Sequence, residues 1–212
     1  MTGQFSGWPP QAFDVLARLE GLPSAETRRQ LRKDRENLVR RPMIALLDDL
    51  ADTDPRYEDF SVWGYGKEPF WWQNQGAVVR FARCVELGVR LNLDGLHVKA
   101  AWHYPDPGQV ARYRAAVDAA GDELAAILDS LRAKGYDIIG DVMKRAPRDY
   151  PADHRHADLL RHRSIVAGRE LAEEDVLWTP RALRWVADRA EELGDLLGWL
   201  ARSVAAPANQ PR

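Results

Sequence analysis

The strongest constraint on this chain lies between residues 86 and 103. Leu87, Val89, Leu91 and Leu93 alternate with Gly88, Arg90 and Asn92; Leu96, Val98, Ala100 and Trp102 alternate with His97, Lys99, Ala101 and His103. Period-two alternation predicts strands with one buried face. Asp94-Gly95 between the runs predicts a two-residue type I′ turn, with positive φ at both central residues. That register sets Leu93 against Leu96, Leu91 against Val98 and Leu87 against Trp102 on one apolar face. A slip by one residue would send that whole set to the other side. The polar face then pairs Glu86 with His103, Asn92 with His97, and Arg90 with Lys99. Like charges directly opposite cost stability, so Arg90 and Lys99 are candidates for holding an anion.

Helical patterns flank this hairpin. Pro9 and Pro10 stand where a helix can begin, Phe13, Leu16 and Leu19 give it an apolar stripe, and Gly21 ends it. Ser24 is a candidate N-cap for a helix carrying Leu31, Leu38 and Val39. Pro42 is expected to break or kink that helix. A long helix is expected from Pro107 to Lys134, closed by Gly135, and a final one after Thr179-Pro180 carrying Leu183 to Leu200. Short strands are expected at 136–139, 141–144 and 164–169, and a helix at 152–162. The fold class that follows is α+β, a central, mainly antiparallel sheet wrapped by N- and C-terminal helices.

With 212 residues, 45% hydrophobic and 29% charged, the chain reads as a single domain over 1–212 with a frayed tail from about 206. The net charge of −2 offers no global basic field, so no specific nucleic acid is expected as partner. Residues 28–41 hold seven basic residues, read as a solvated helix face rather than a phosphate-binding stripe. No apolar run is long enough to span a membrane, and the first ten residues lack the pattern of a signal peptide. Cys84 is the one cysteine, expected in a strand and excluding an internal disulfide. A cytoplasmic monomer or homodimer is expected.

Several stretches together resemble a known bacterial family of similar length, domain of unknown function (DUF) family 2461. They include Phe-Ser-Gly-Trp-Pro (5–9), Arg-Arg-Pro-Met-Ile-Ala-Leu-Leu (40–47), Gln-Gly-Ala-Val-Val (75–79) and Asp-Gly-Leu-His-Val (94–98). Tyr-Pro-Asp-Pro-Gly-Gln-Val-Ala-Arg-Tyr-Arg-Ala-Ala-Val (104–117), 147–154 and 159–171 match as well. The family's hallmark is an Arg-x-x-Arg-Asp-x-Arg-Phe run followed by Lys-x-x-Tyr. The corresponding segment here is Ser61–Phe70, where Lys67 matches the lysine, Phe70 replaces the tyrosine, and the arginines and aspartate are missing. The resemblance implies fold and context rather than a reaction.

Three groups have the composition of a site. The segment 60–72, expected as loop and short strand, surrounds Lys67 with Tyr65, Phe70, Trp71 and Trp72, and Asn74 follows. Apolar walls with a few polar groups are what a small-ligand pocket needs, and Lys67 is expected to point into one bordered by Trp71 or Trp72. The polar hairpin face with Arg90 and Lys99 is the second group. The third is His154, Asp158 and His162, spaced at i, i+4 and i+8 if helical; adjacent members suit a metal, but three ligands spread over two turns do not converge on one ion. No Gly-rich phosphate loop, serine elbow or CxxC motif is present, and no cofactor is implied. The leading expectation is a small-molecule binding protein or enzyme. The alternative is a non-catalytic interaction domain with an exposed aromatic surface.

Overall fold

The structure is a computed structural model that describes residues 5–66, 68–151, 153–172 and 175–205. Helices α1 (Gln11–Arg18), α2 (Ala25–Asp34) and α3 (Arg41–Thr53) precede strand β1 (Phe60–Val62), the short helix α4 (Pro69–Gln73) and strands β2 (Gln75–Ala82), β3 (Val85–Asn92) and β4 (Gly95–Trp102). Then follow α5 (Pro107–Ala133), β5 (Asp137–Ile139), α6 (Ala157–Leu160), β6 (Ile165–Leu171), α7 (Arg181–Glu192) and α8 (Gly194–Val204). The six strands form one antiparallel sheet in the order β1-β2-β3-β4-β6-β5, flanked by N- and C-terminal helices, which is the α+β class expected. No described helix is long and apolar enough to cross a membrane.

Contacts gather in two compact units, residues 1–79, 88–98 and 170–190 in the first and residues 80–87, 99–169 and 191–212 in the second. In the first, Phe13 packs edge-on against Trp178 with ring centroids 5.0 Å apart, and the buried Trp8 donates its indole N–H to the Val39 carbonyl at 3.1 Å. In the second, Tyr113 of α5 lies between Trp102 (4.7 Å) and Trp199 (6.0 Å), and its hydroxyl donates to the Leu159 carbonyl. Burial raises the Tyr113 pKa well above the ordinary phenol range.

Local signals hold where they are chemical. Ser24 accepts from the Thr27 N–H at 3.0 Å, and Gly21 and Gly135 take positive φ; the structure adds a capping box of Asp106 with Gln109 on α5. Five expectations change. The helix passes through Pro42, because Arg35–Arg40 is π-helical and the Arg41 N–H bonds to the Glu36 carbonyl five residues back. This wider turn removes the collision a proline ring has with the carbonyl four residues before it. The hairpin loop is Leu93-Asp94, because β3 ends at Asn92 and β4 begins at Gly95. Gly95 has φ of 123° while Asp94 is not at positive φ, so the turn is not type I′. Residues 141–144 form only a bridge, Val142 to His162, and the helix expected over 152–162 shrinks to α6. The final helix is two helices, broken at Leu193 before Gly194. The tail from 206 lies outside the described residues.

Candidate functional site

The aromatic segment begins as expected, with strand β1 and irregular backbone to Gly66, and then departs from expectation. Pro69 starts α4, so Phe70, Trp71 and Trp72 sit on a short helix. Trp63, Phe70 and Trp71 pack against one another with centroids 4.9–5.9 Å apart. Lys67 lies outside the described residues. Trp72 is buried and donates its indole N–H to the Gly66 carbonyl, and the Asn74 amide donates to the Phe70 carbonyl. These side chains are occupied in building the segment itself.

Their organising centre is Arg35, which no local pattern singled out. It is 1% exposed. Its guanidinium donates to the carbonyls of Trp72 (3.1 Å), Trp71 (2.8 Å) and Asn74 (2.9 Å) and to Gln75 Oε1 (2.9 Å). Three of these are the unpaired carbonyls at the C-terminal end of α4, where a cation is favoured. The guanidinium also lies 5.0 Å over the Tyr65 ring. Gln75 in turn donates to the Trp63 carbonyl, which Arg40 also reaches at 3.1 Å, and Arg40 pairs with Glu36. Burial pulls the Arg35 pKa down to about 10, which leaves it charged at neutral pH. Burial likewise raises Tyr65, opposed by the charges of Arg35, Arg28 and Arg32. Arg28 stacks 4.0 Å over Trp72. The basic run is therefore not simply a solvated face: Arg35 is interior, because the carbonyls that receive it lie about forty residues away in sequence.

The other expected groups are dispersed. The hairpin loop at Leu93-Asp94 differs from the Asp94-Gly95 turn on which the Arg90–Lys99 opposition rests. His97 bonds to Asn92 Oδ1. His154 is held by Asp118 at 3.0 Å, Asp158 pairs with Arg161, and His162 Nδ1 donates to the Ser164 carbonyl at 3.2 Å. Each has a separate partner, since α6 does not extend to either histidine. Among the described residues no group of three or more His, Cys, Asp or Glu is placed to hold a metal.

A cleft of about 820 Å³ opens elsewhere, within the second unit. Its lining comes from the end of β4 and the turn after it (His103, Tyr104, Pro105), the start of α5 (Val110, Arg114), the segment after β5 (Asp141, Met143) and the start of β6 (Arg163, Ser164, Val166). His103 Nε2 is 2.9 Å from Glu86 Oε1. A carboxylate accepts, so His103 Nε2 is the donor of this bond. Tyr104 has φ of 53°, is 89% exposed and stacks on His103 at 4.8 Å. Its carbonyl accepts from Cys84, which sits in the tight β2–β3 turn at φ of 65° rather than in a strand. Asp141 pairs with Arg163 at 2.8 Å and its backbone N–H donates to Ser164 Oγ at 2.7 Å. Arg114 donates Nε to the Leu160 carbonyl and Nη2 to Met143 Sδ. Sequence reasoning placed Glu86 and His103 on one strand face but missed Arg114, Asp141, Arg163 and Ser164. The available signal was that the family-like stretches 104–117 and 159–171 supply most of the lining.

No curated protein and no solved structure matches the chain. A family model does, over residues 71–199, which include every residue lining the cleft and exclude the N-terminal helices. The chain belongs to that family, described as conserved hypothetical protein (DUF2461).

Proposed function

We propose that this protein is a cytoplasmic small-molecule binding protein or enzyme whose ligand occupies the cleft around His103 and Arg114. One observation carries the reading: a concave space of about 820 Å³ that combines apolar walls with a few convergent polar groups. Small-ligand sites have that size and that mixture. The His103–Glu86 pair adds an imidazole held in a fixed orientation at the cleft. The segment around Tyr65, Trp71, Trp72 and Asn74 takes the role of scaffold, since the Trp72 indole and the Asn74 amide are spent on its own carbonyls and the Tyr65 ring lies under the Arg35 guanidinium. Nucleic acid is not part of this reading: Arg35 is buried and Arg40 is paired with Glu36, which leaves the basic run short of an open phosphate-binding stripe.

A ligand-observed NMR screen of a fragment library, followed by mapping on ¹⁵N-labelled protein, tests this. Hits should shift the amides of His103, Val110 and Val166, and Val110→Trp should abolish them by filling the cleft. Hits that map instead to Phe70, a 43% exposed ring beside Trp63 and Trp71, would overturn the cleft reading and favour an interaction surface. The proposal treats residues 1–212 as one domain, supported by β2, β3, β4 and β6, each of which lends residues to both units. Coincident unfolding by tryptophan fluorescence and far-UV circular dichroism is the expected result.

A further inference from the structure

We propose that the cleft selects small organic anions, with Arg114 as the group that binds their carboxylate or phosphate. This rests on the reading of the cleft as a ligand site and adds the charge of the ligand to it. Arg114 is held only by neutral acceptors, the Leu160 carbonyl at 3.2 Å and Met143 Sδ at 3.0 Å. No carboxylate pairs with it among the described residues, and a guanidinium does not lose its proton at any physiological pH. Two acceptors leave three of its five N–H donors for a ligand in the cleft it lines. Planar N–H donors of this kind match a carboxylate or phosphate in bidentate fashion.

The other charges in the lining do not oppose an anion. Asp141, the carboxylate of the lining, is already bound by Arg163 through both oxygens, at 2.9 and 2.8 Å. Glu86 is turned to His103. Ser164 Oγ receives the Asp141 N–H, so its own O–H is left to donate. The exposed Tyr104 ring supplies a flat apolar surface beside these donors. The ligand class that fits is therefore a carboxylate or phosphate monoester with a planar or apolar body.

Titration of the full ¹⁵N-labelled chain with benzoate, phenyl phosphate and the neutral benzamide tests the proposal. At least one anion should bind about tenfold or more tighter than benzamide, the difference expected for charge-assisted hydrogen bonds. Added salt should weaken the anion and leave benzamide unchanged. The ratio of benzoate to phenyl phosphate distinguishes a carboxylate from a phosphate ligand. Arg114→Met should bring the anion down to the affinity of benzamide, and Arg114→Lys should retain part of the preference. If Arg114→Met does not fold, the wild-type ratio and Arg114→Lys decide. Equal binding of benzoate, phenyl phosphate and benzamide overturns anion selectivity and leaves the cleft a ligand site. Undiminished anion binding in Arg114→Met overturns the role of Arg114. Absence of shifts with all three compounds overturns both the selectivity and the cleft reading.

Discussion

Arg35 and Arg114 are both arginines bound to neutral acceptors, and they do opposite work. Arg35 is 1% exposed and places four hydrogen bonds, three of them on the carbonyls that end α4. Arg114 places two and faces a cleft of about 820 Å³. A buried guanidinium is tolerated when its donors are satisfied, and one that is nearly saturated has little left for a ligand. The same side chain with spare donors beside open space is a recognition group. The contrast extends to the neighbours: around Arg35 the Asn74 amide donates to the Phe70 carbonyl and the Gln75 amide to the carbonyls of Trp63 and Gly76, whereas the cleft carries a strained, exposed Tyr104.

The largest expected effect probes the saturated side. Arg35→Leu strips donors from three carbonyls and a buried amide, and should cost about 3–5 kcal/mol in denaturant unfolding. A loss below about 1 kcal/mol would show that water replaces the guanidinium and that Arg35 and Arg114 differ less than their burial implies. Next is Gly95→Val in the same unit. A Cβ at Gly95 would lie 2.1 Å from the Leu171 carbonyl oxygen at a φ of 123°, so about 2–4 kcal/mol should be lost. Unchanged thermal stability would mean that the hairpin and β6 do not approach as described.

Tyr104→Gly should do the reverse of Arg35→Leu. It relieves the positive φ at an exposed site and should raise stability by about 0.5–1 kcal/mol while weakening ligand binding in the cleft. A stability loss would place Tyr104 with the scaffold instead. The smallest effect is the pH response of His162, whose pKa is lowered, chiefly by burial. The unfolded chain then binds the proton more tightly than the folded one. The contribution is fully present above the ordinary histidine value of 6.5 and is lost as pH falls below it through the lowered folded value. His162→Asn should flatten the difference in unfolding free energy between pH 7.5 and pH 5.5. An identical difference in wild type and variant would reject this.

Much of the fold was legible because it is local chemistry. The alternation in β3 and β4, the Ser24 cap and the Gly135 stop after α5 need only near neighbours. The turn stands one residue earlier than expected, and a Cβ at Gly95 would meet the Leu171 carbonyl, a contact that local turn preferences do not include. Glu86 and His103 were placed together on one face and do bond. The rest of the cleft was illegible for a plain reason. Its polar groups come from the ends of four separate elements, and no spacing in sequence marks such a convergence. Arg35 was hidden differently, inside a run of charges whose other members are mostly exposed.

The π-helical stretch Arg35–Arg40 behaves as one extra residue threaded into a continuous helix from Ala25 to Thr53. On a regular α-helix, residues five apart point about 140° away from each other, since each step turns about 100°. Here Arg35 and Arg40 both reach the 63–75 segment. Deleting a single residue from this stretch would rotate everything downstream by about 100° relative to everything upstream. Leu46, Leu47 and Leu50 would swing off the buried side while Leu31 stayed on it. The helix is thus read in two phases, and the stretch between them is the place where its length cannot drift by one.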